Sequence, residues 1–179
     1  MGQDLQSGAE GRLGTTGGII DDGRFVATVR FDSAEAARRN SERPEQGAWW
    51  AETEQCFDGP VTFLDCPQVD VWMQGGSDDA GFVQVISGGA DRSAVLPVAS
   101  EVEEILRRMR PDVIGGIVGW PGDGTFTQVV YFTSEEEARA HEGAQPSAED
   151  KAAWERLSSL MSFDRFLDLP DPWLYSRDG

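Results

Sequence analysis

Phe126-Thr127-Gln128-Val129-Val130-Tyr131-Phe132-Thr133-Ser134-Glu135-Glu136-Glu137-Ala138-Arg139 is an altered copy of Phe25-Val26-Ala27-Thr28-Val29-Arg30-Phe31-Asp32-Ser33-Ala34-Glu35-Ala36-Ala37-Arg38, 101 residues earlier. In both, alternating apolar residues spell a strand, a serine follows in the place of a helix N-cap, and an Ala/Glu-rich run continues as helix. The echo extends outward. Gly17-Gly18-Ile19-Ile20 returns as Gly115-Gly116-Ile117-Val118 at an offset of 98, and Phe63-Leu64-Asp65-Cys66-Pro67 returns as Phe166-Leu167-Asp168-Leu169-Pro170 at 103. A period of about one hundred residues marks a duplicated domain rather than a solenoid.

The second copy reads as a complete unit. Phe82 to Ile86 is a buried strand, and Ser100 with Glu103 opens a helix carrying Val102, Ile105, Leu106 and Met109 on one face, ended by Pro111. Strands follow at Val113 to Trp120 and Thr125 to Phe132, then a helix broken at Pro146, with capping pairs Ser134/Glu137 and Ser147/Asp150, and a short strand near Phe163 to Leu167. The order β-α-β-β-α-β is the ferredoxin-like split βαβ of the α+β class. The first copy reads only β-β-α-β. Its hairpin turns at Asp21-Asp22-Gly23, Phe25, Ala27, Val29 and Phe31 share one face, its helix breaks near Pro44, and Val61 to Leu64 and Val69 to Met73 are strand-like. An opening strand and helix are missing, which favours a natural chain that starts further upstream. The expected division is a flexible lead-in over 1–14, an incomplete unit over 15–76 and a complete one over 77–179.

Composition narrows function. A formal charge of -17 repels phosphate backbones and anionic membrane surfaces, so neither nucleic acid nor membrane is an expected partner. Cys56 and Cys66 form no zinc spacing, no run reaches the length of a membrane span, and Met1-Gly2-Gln3-Asp4 lacks a basic export signal, so a cytoplasmic location is expected. Glu101-Glu103-Glu104 and Glu135-Glu136-Glu137 sit in first helical turns, where capping explains them without a metal.

With the second unit read in this order and the whole duplicated, the chain resembles tandem members of the dimeric α+β barrel superfamily, of the antibiotic-biosynthesis-monooxygenase type. The residues that carry the resemblance are Phe82 to Ile86, Tyr131 to Arg139, and Phe166 to Leu174. It implies two sheets packed face to face, here within one chain as a pseudo-dimer, existing as a monomer or weak homodimer. It also implies a cofactor-independent monooxygenase acting on a quinol- or anthrol-type aromatic, or a non-catalytic small-ligand-binding or interaction protein of the same fold.

The candidate residues are few. Asn40, the only asparagine, and His141, the only histidine, occupy the same place in the two copies, at the helix break, where polar groups could hold or move a proton. They are the candidate catalytic pair. Trp50 and Trp154 are equivalent helix positions and candidate lining of an apolar pocket, and Trp72 and Trp173 are read as equivalent tail positions. The six tryptophans serve as core or interface anchors. Asp65 and Asp168 are assigned to turns. No cofactor and no metal is assigned, and the expected ligand is an apolar or aromatic small molecule.

Overall fold

The computed structural model describes residues 8–176. Among them eight strands form two antiparallel sheets: β1 (Arg12–Ile19), β2 (Phe25–Phe31), β3 (Gln68–Met73), β4 (Phe82–Ala90), β5 (Val113–Trp120), β6 (Thr125–Phe132), β7 (Met161–Leu169) and β8 (Trp173–Ser176). The smaller sheet is ordered β2-β1-β8 and the larger β3-β5-β6-β4-β7. Among the described residues five α-helices accompany them: α1 (Ala34–Ser41), α2 (Pro44–Thr53), α3 (Arg92–Met109), α4 (Glu135–His141) and α5 (Lys151–Leu160). Within the larger sheet β5-β6-β4-β7, with α3 between β4 and β5, is the ferredoxin-like arrangement expected for the second copy.

Local chemistry sets these elements. Gly23, at φ 84°, closes the β1-β2 hairpin, and its N–H donates to the Ile20 carbonyl at 2.9 Å. The Ser33 hydroxyl accepts from Ala36 N–H at 3.1 Å and that of Ser134 from Glu137 N–H at 3.2 Å, so both repeats of the opening stretch turn from strand to helix by the same cap. Pro44 stands at the start of α2, where its missing N–H loses nothing. The long helix departs from expectation. It begins at Arg92, capped by Asp91, whose carboxylate accepts from Ser93 N–H at 2.8 Å, and it runs through Pro97. Ser100 and Glu103 lie inside it, because the helix is already capped nine residues earlier, at Asp91.

The strand register corrects the alignment of the repeat. Arg12 faces Phe31 and Val113 faces Phe132, each pairing is followed by an irregularity, and Gly14 and Gly115 come next. The β1-β2 and β5-β6 hairpins therefore match at a constant 101, and Gly17 corresponds to Val118. Met73 pairs with Gly115 and Ser176 with Gly14, so β3 and β8 match at 103. Trp72 thus corresponds to Tyr175, not to Trp173. Each tail strand joins the other sheet: β3 extends β5, and β8 extends β1.

Two cores result. Between the larger sheet and its helices lie Phe82, Ile86, Val95, Trp120, Phe126, Val130 and Phe132. Between the sheets lie Val83, Val85, Ile117, Val129, Tyr131 and Leu169, met from the smaller sheet by Ile20, Val26 and Leu174. The smaller sheet has less cover. Phe25 and Val29, expected on its apolar face, stay exposed, and Val61 to Leu64, expected as a strand, is irregular and exposed. Of the six tryptophans read as core or interface anchors, Trp120 alone is buried, and Trp49 and Trp173 are exposed. Asp168 lies within β7 rather than in a turn, accepting from Gln84 Nε2 at 2.8 Å and paired with Arg139. β1 begins inside the 1–14 stretch expected to be a lead-in, and residues 1–7 of that stretch lie outside the described ones.

Candidate functional site

On its helix-facing side, the smaller sheet carries a connected row of aromatic rings. Trp173 lies 5.9 Å from Phe25, Phe25 5.7 Å from Phe57, Phe57 6.3 Å from Trp50, and Trp50 5.0 Å from Phe63 in an edge-on contact. Phe25 comes from β2, Trp173 from β8, Trp50 from α2, and Phe57 and Phe63 from the segment after it. Trp50, Glu54, Gly59, Pro60, Val61 and Phe63 line an open depression of about 310 Å³. Rings held at these separations present polarizable faces to a flat apolar molecule. Glu54 is the one ionisable side chain in that lining. Trp50, a candidate pocket residue from the sequence, lines this depression; its ring partners carry no sequence signal, because Phe25 and Trp173 arrive from elements far apart in the chain. Its counterpart Trp154 is half-buried on α5, which packs on α3.

Asn40 and His141 end matching helices but have separate surroundings. Asn40 lines a second open depression of about 400 Å³ with Glu10, Arg39, Glu42 and Arg43, and its Oδ1 accepts from Arg43 Nη1 at 3.1 Å. His141 stands over a buried pair. The Asp112 carboxylate, fully enclosed, accepts from Arg110 Nη2 at 2.7 Å and Nε at 3.0 Å, and His141 Nδ1 is 3.4 Å from Asp112 Oδ1 and 2.9 Å from the Glu137 carbonyl. A carbonyl can only accept, so Nδ1 carries the proton and Nε2 is the acceptor nitrogen of the neutral ring. Asp112 was not recognised in the sequence, where a single aspartate after Pro111 carries no signal.

A third polar group sits between the sheets. The hydroxyls of Tyr131 and Thr16, both buried, are 2.6 Å apart, and a side chain at Gly76 would meet both Arg30 and the Tyr131 hydroxyl. Burial pushes the Tyr131 phenol above its usual range, partly offset by the Thr16 hydrogen bond and the Arg30 charge. Arg30 and Tyr131 are matched positions of the two hairpins, and both stand beside Gly76. At the β3 junction, Asp70 accepts from Arg92 through both carboxylate oxygens at 2.7 and 2.8 Å and from Trp120 Nε1 at 2.7 Å. The Arg92 hydrogen bond, with help from Trp120, holds the Asp70 carboxyl below the usual carboxylate range.

Among the described residues, no three His, Cys, Asp or Glu side chains gather as a metal site. No helix among them is long and apolar enough to cross a membrane.

No protein-family model matches the chain, and no curated protein sequence matches it. Solved structures do. A candidate monooxygenase of Lactobacillus acidophilus NCFM is 15% identical, with a TM-score of 0.68 over 97% of this chain and 83% of that one. A candidate monooxygenase of Fusobacterium nucleatum is 10% identical, with a TM-score of 0.68 over 99% and 83%. An anthrone oxidase-like protein is 10% identical, with a TM-score of 0.54 over 98% and 83%. The chain therefore shares the α+β fold of monooxygenase-type structures, in keeping with the resemblance to antibiotic-biosynthesis monooxygenases.

Proposed function

We propose that the chain is a cofactor-independent monooxygenase-type protein whose ligand is a flat quinol- or anthrol-type aromatic received on the ring row of the smaller sheet. The observation that carries this reading is the chain of five contacting aromatic side chains beside an open depression. The likeness to monooxygenase-type structures, one of them anthrone oxidase-like, supports the reaction class. In such a reaction the deprotonated aromatic reduces dioxygen itself. One oxygen atom enters the ring carbon, which becomes a carbonyl, and the other leaves as water with two hydrogens from the substrate. The protein would supply an apolar surface and polar groups for the anion and its proton. We assign those tasks to Asn40 in the first unit and His141 in the second, although both lie outside the lining of the aromatic depression, Asn40 beside Arg43 and His141 above Asp112.

The same reading takes 15–76 and 77–179 as tandem ferredoxin-like units that form a pseudo-dimeric barrel within one chain. The constant 101-residue match of the two hairpins and the reciprocal placing of β3 and β8 support it. A cytoplasmic monomer or weak homodimer, binding neither nucleic acid nor membrane, fits the charge of -17.

Non-catalytic binding of the same ligand class is the second reading, favoured by Glu54 being the only ionisable side chain of the aromatic depression. Oxygen uptake with anthrone and a panel of reduced quinols, run beside tryptophan fluorescence, separates them. Oxygen consumption lost in Asn40→Ala or His141→Ala is expected for the enzyme. Fluorescence quenching without oxygen uptake points to binding alone, and neither response rejects both.

A further inference from the structure

Where the two sheets face each other, hydrogen-bond donors converge without acceptors to match them. Val26, Thr28 and Arg30 alternate on one face of β2, and Val26 packs into the core between the sheets, so Arg30 points into the same space. β1 sets Gly14 opposite Arg30 and Thr16 opposite Thr28, and Tyr131 enters from β6 on the other side. A Cβ on Gly14 would come within 2.8 Å of Arg30 Nη2, so the guanidinium lies across bare backbone. The direction a Gly76 side chain would take meets Arg30 Nη2 at 3.0 Å and Tyr131 Oη at 3.2 Å. Gly76 thus leaves these two groups facing one space.

The donors there outnumber the acceptors. The contact of 2.6 Å between the Tyr131 and Thr16 hydroxyls uses one of their two protons, and the other meets no acceptor among the described residues. Among the same residues Arg30 makes neither a hydrogen bond nor an ion pair. Asp78, whose charge is felt at Tyr131, is itself engaged, accepting from the Ser176 N–H and hydroxyl at 2.8 Å each. Thr16 and Tyr131 are buried while Arg30 and Gly76 are half-buried. The hydroxyls therefore form an enclosed floor, and the guanidinium a rim that solvent reaches. A buried O–H without an acceptor costs stability, which an acceptor-only ligand restores.

We infer that Arg30, Tyr131 and Thr16, arranged around Gly76, form a binding site between the sheets for a small carboxylate anion. Its oxygens only accept, its plane suits the fork of a guanidinium, and one oxygen can take the remaining hydroxyl proton. A single positive charge matches a monoanion, and the net charge of -17 repels polyanions. The site is on the opposite face of the smaller sheet from the ring row, so it stands independently of whether that row takes a ligand.

The test uses the full chain, sodium acetate as the probe and sodium chloride at equal ionic strength as the control. With tyrosine labelled in 13C the spectrum reports two residues, Tyr131 and Tyr175. Acetate is expected to shift the Tyr131 signal saturably, and chloride to leave it in place. Arg30→Met is expected to weaken acetate by about tenfold or more. Gly76→Ala keeps every donor but narrows the space between them, and is expected to weaken it likewise, so the result does not hang on one variant. The site is overturned by absence of a saturable shift, by an equal response to chloride, or by unchanged acetate binding in both variants. Tighter binding of inorganic phosphate than of acetate would also overturn it, because the ligand would then be a tetrahedral polyanion.

Discussion

Phe25 and Phe126 are the same residue at the same step of two matching hairpins, and one is 41% exposed while the other is 1% exposed. The difference lies in what stands beside each strand. β6 is flanked by β5 and β4 and covered by helices, whereas β2 has β1 on one side and no strand among the described residues on the other. A repeated sequence therefore gives a repeated backbone and register, but burial is a property of the neighbours.

The comparison predicts its own largest effect. Phe126→Ala removes a ring packed against Trp120 and Phe163 and is expected to destabilise the fold by about 3–5 kcal/mol in urea unfolding. Phe25→Ala, made at the matching place, is expected to cost about 1 kcal/mol or less, because its ring already meets water. Equal losses would break the comparison.

The second prediction concerns a site that only one half has. Asp112 is enclosed and bidentate to Arg110, whose guanidinium also lies 5.6 Å from the Phe132 ring; in the first hairpin the matching position is Gly11, at φ 74°. Asp112→Ala leaves a largely buried cation without its partner and is expected to cost about 3 kcal/mol. Arg110→Met combined with Asp112→Ala should recover part of it. No recovery would mean that the pair acts through backbone contacts instead.

How far this was legible in the sequence follows from the same residues. The hairpins, their serine caps and the broken helices could be read because each is local: Ser33 and Ser134 act within three residues of themselves. The alignment of the glycines failed for a physical reason. Gly17-Gly18 resembles Gly115-Gly116 in letters, but strand pairing, which no local pattern shows, fixes Gly14 opposite Arg30 and Gly115 opposite Tyr131. Val61 to Leu64 has the composition of a strand and lacks the neighbour that would make it one. Asn40 and His141 are candidates by rarity and equivalence alone; Asp70 and the ring row depend on contacts made across many residues of chain, and Asp112 on enclosure that no local pattern shows.

The third prediction tests the buried hydroxyl pair between the sheets. Tyr131→Phe leaves the Thr16 hydroxyl buried without its 2.6 Å partner and is expected to cost about 1–2 kcal/mol near neutral pH. The phenol's acidity in the folded chain is weakened, so the folded state holds its proton at a pH where the unfolded chain has released it. Its contribution is complete below about 10 and declines as pH rises further. The alkaline limb of the stability profile should therefore be flatter in Tyr131→Phe than in the parent. An unchanged limb would show that the phenol titrates freely.

The smallest expected effect lies at the strand that leaves one half for the other. β3 follows the first copy in sequence but pairs with β5, and Asp70 fixes it there by accepting from Arg92 at the start of α3 and from Trp120 on β5. The matching position on β8 is Trp173, which makes a ring contact with Phe25 instead, so the two exchanged strands are held by different means. Because the partly exposed Asp70–Arg92 pair is screened by solvent, Asp70→Asn is expected to cost only about 1 kcal/mol. The sign of its pH dependence is opposite to that of Tyr131. A carboxyl held below its usual 3.8 stabilises the fold above that pH and loses its effect as pH falls through the lowered value. Parent and Asp70→Asn should therefore converge in acid. If the loss persists there undiminished, β3 is held by its ladder and by Trp72 over Gly116, and the charge at the junction contributes nothing to the exchange.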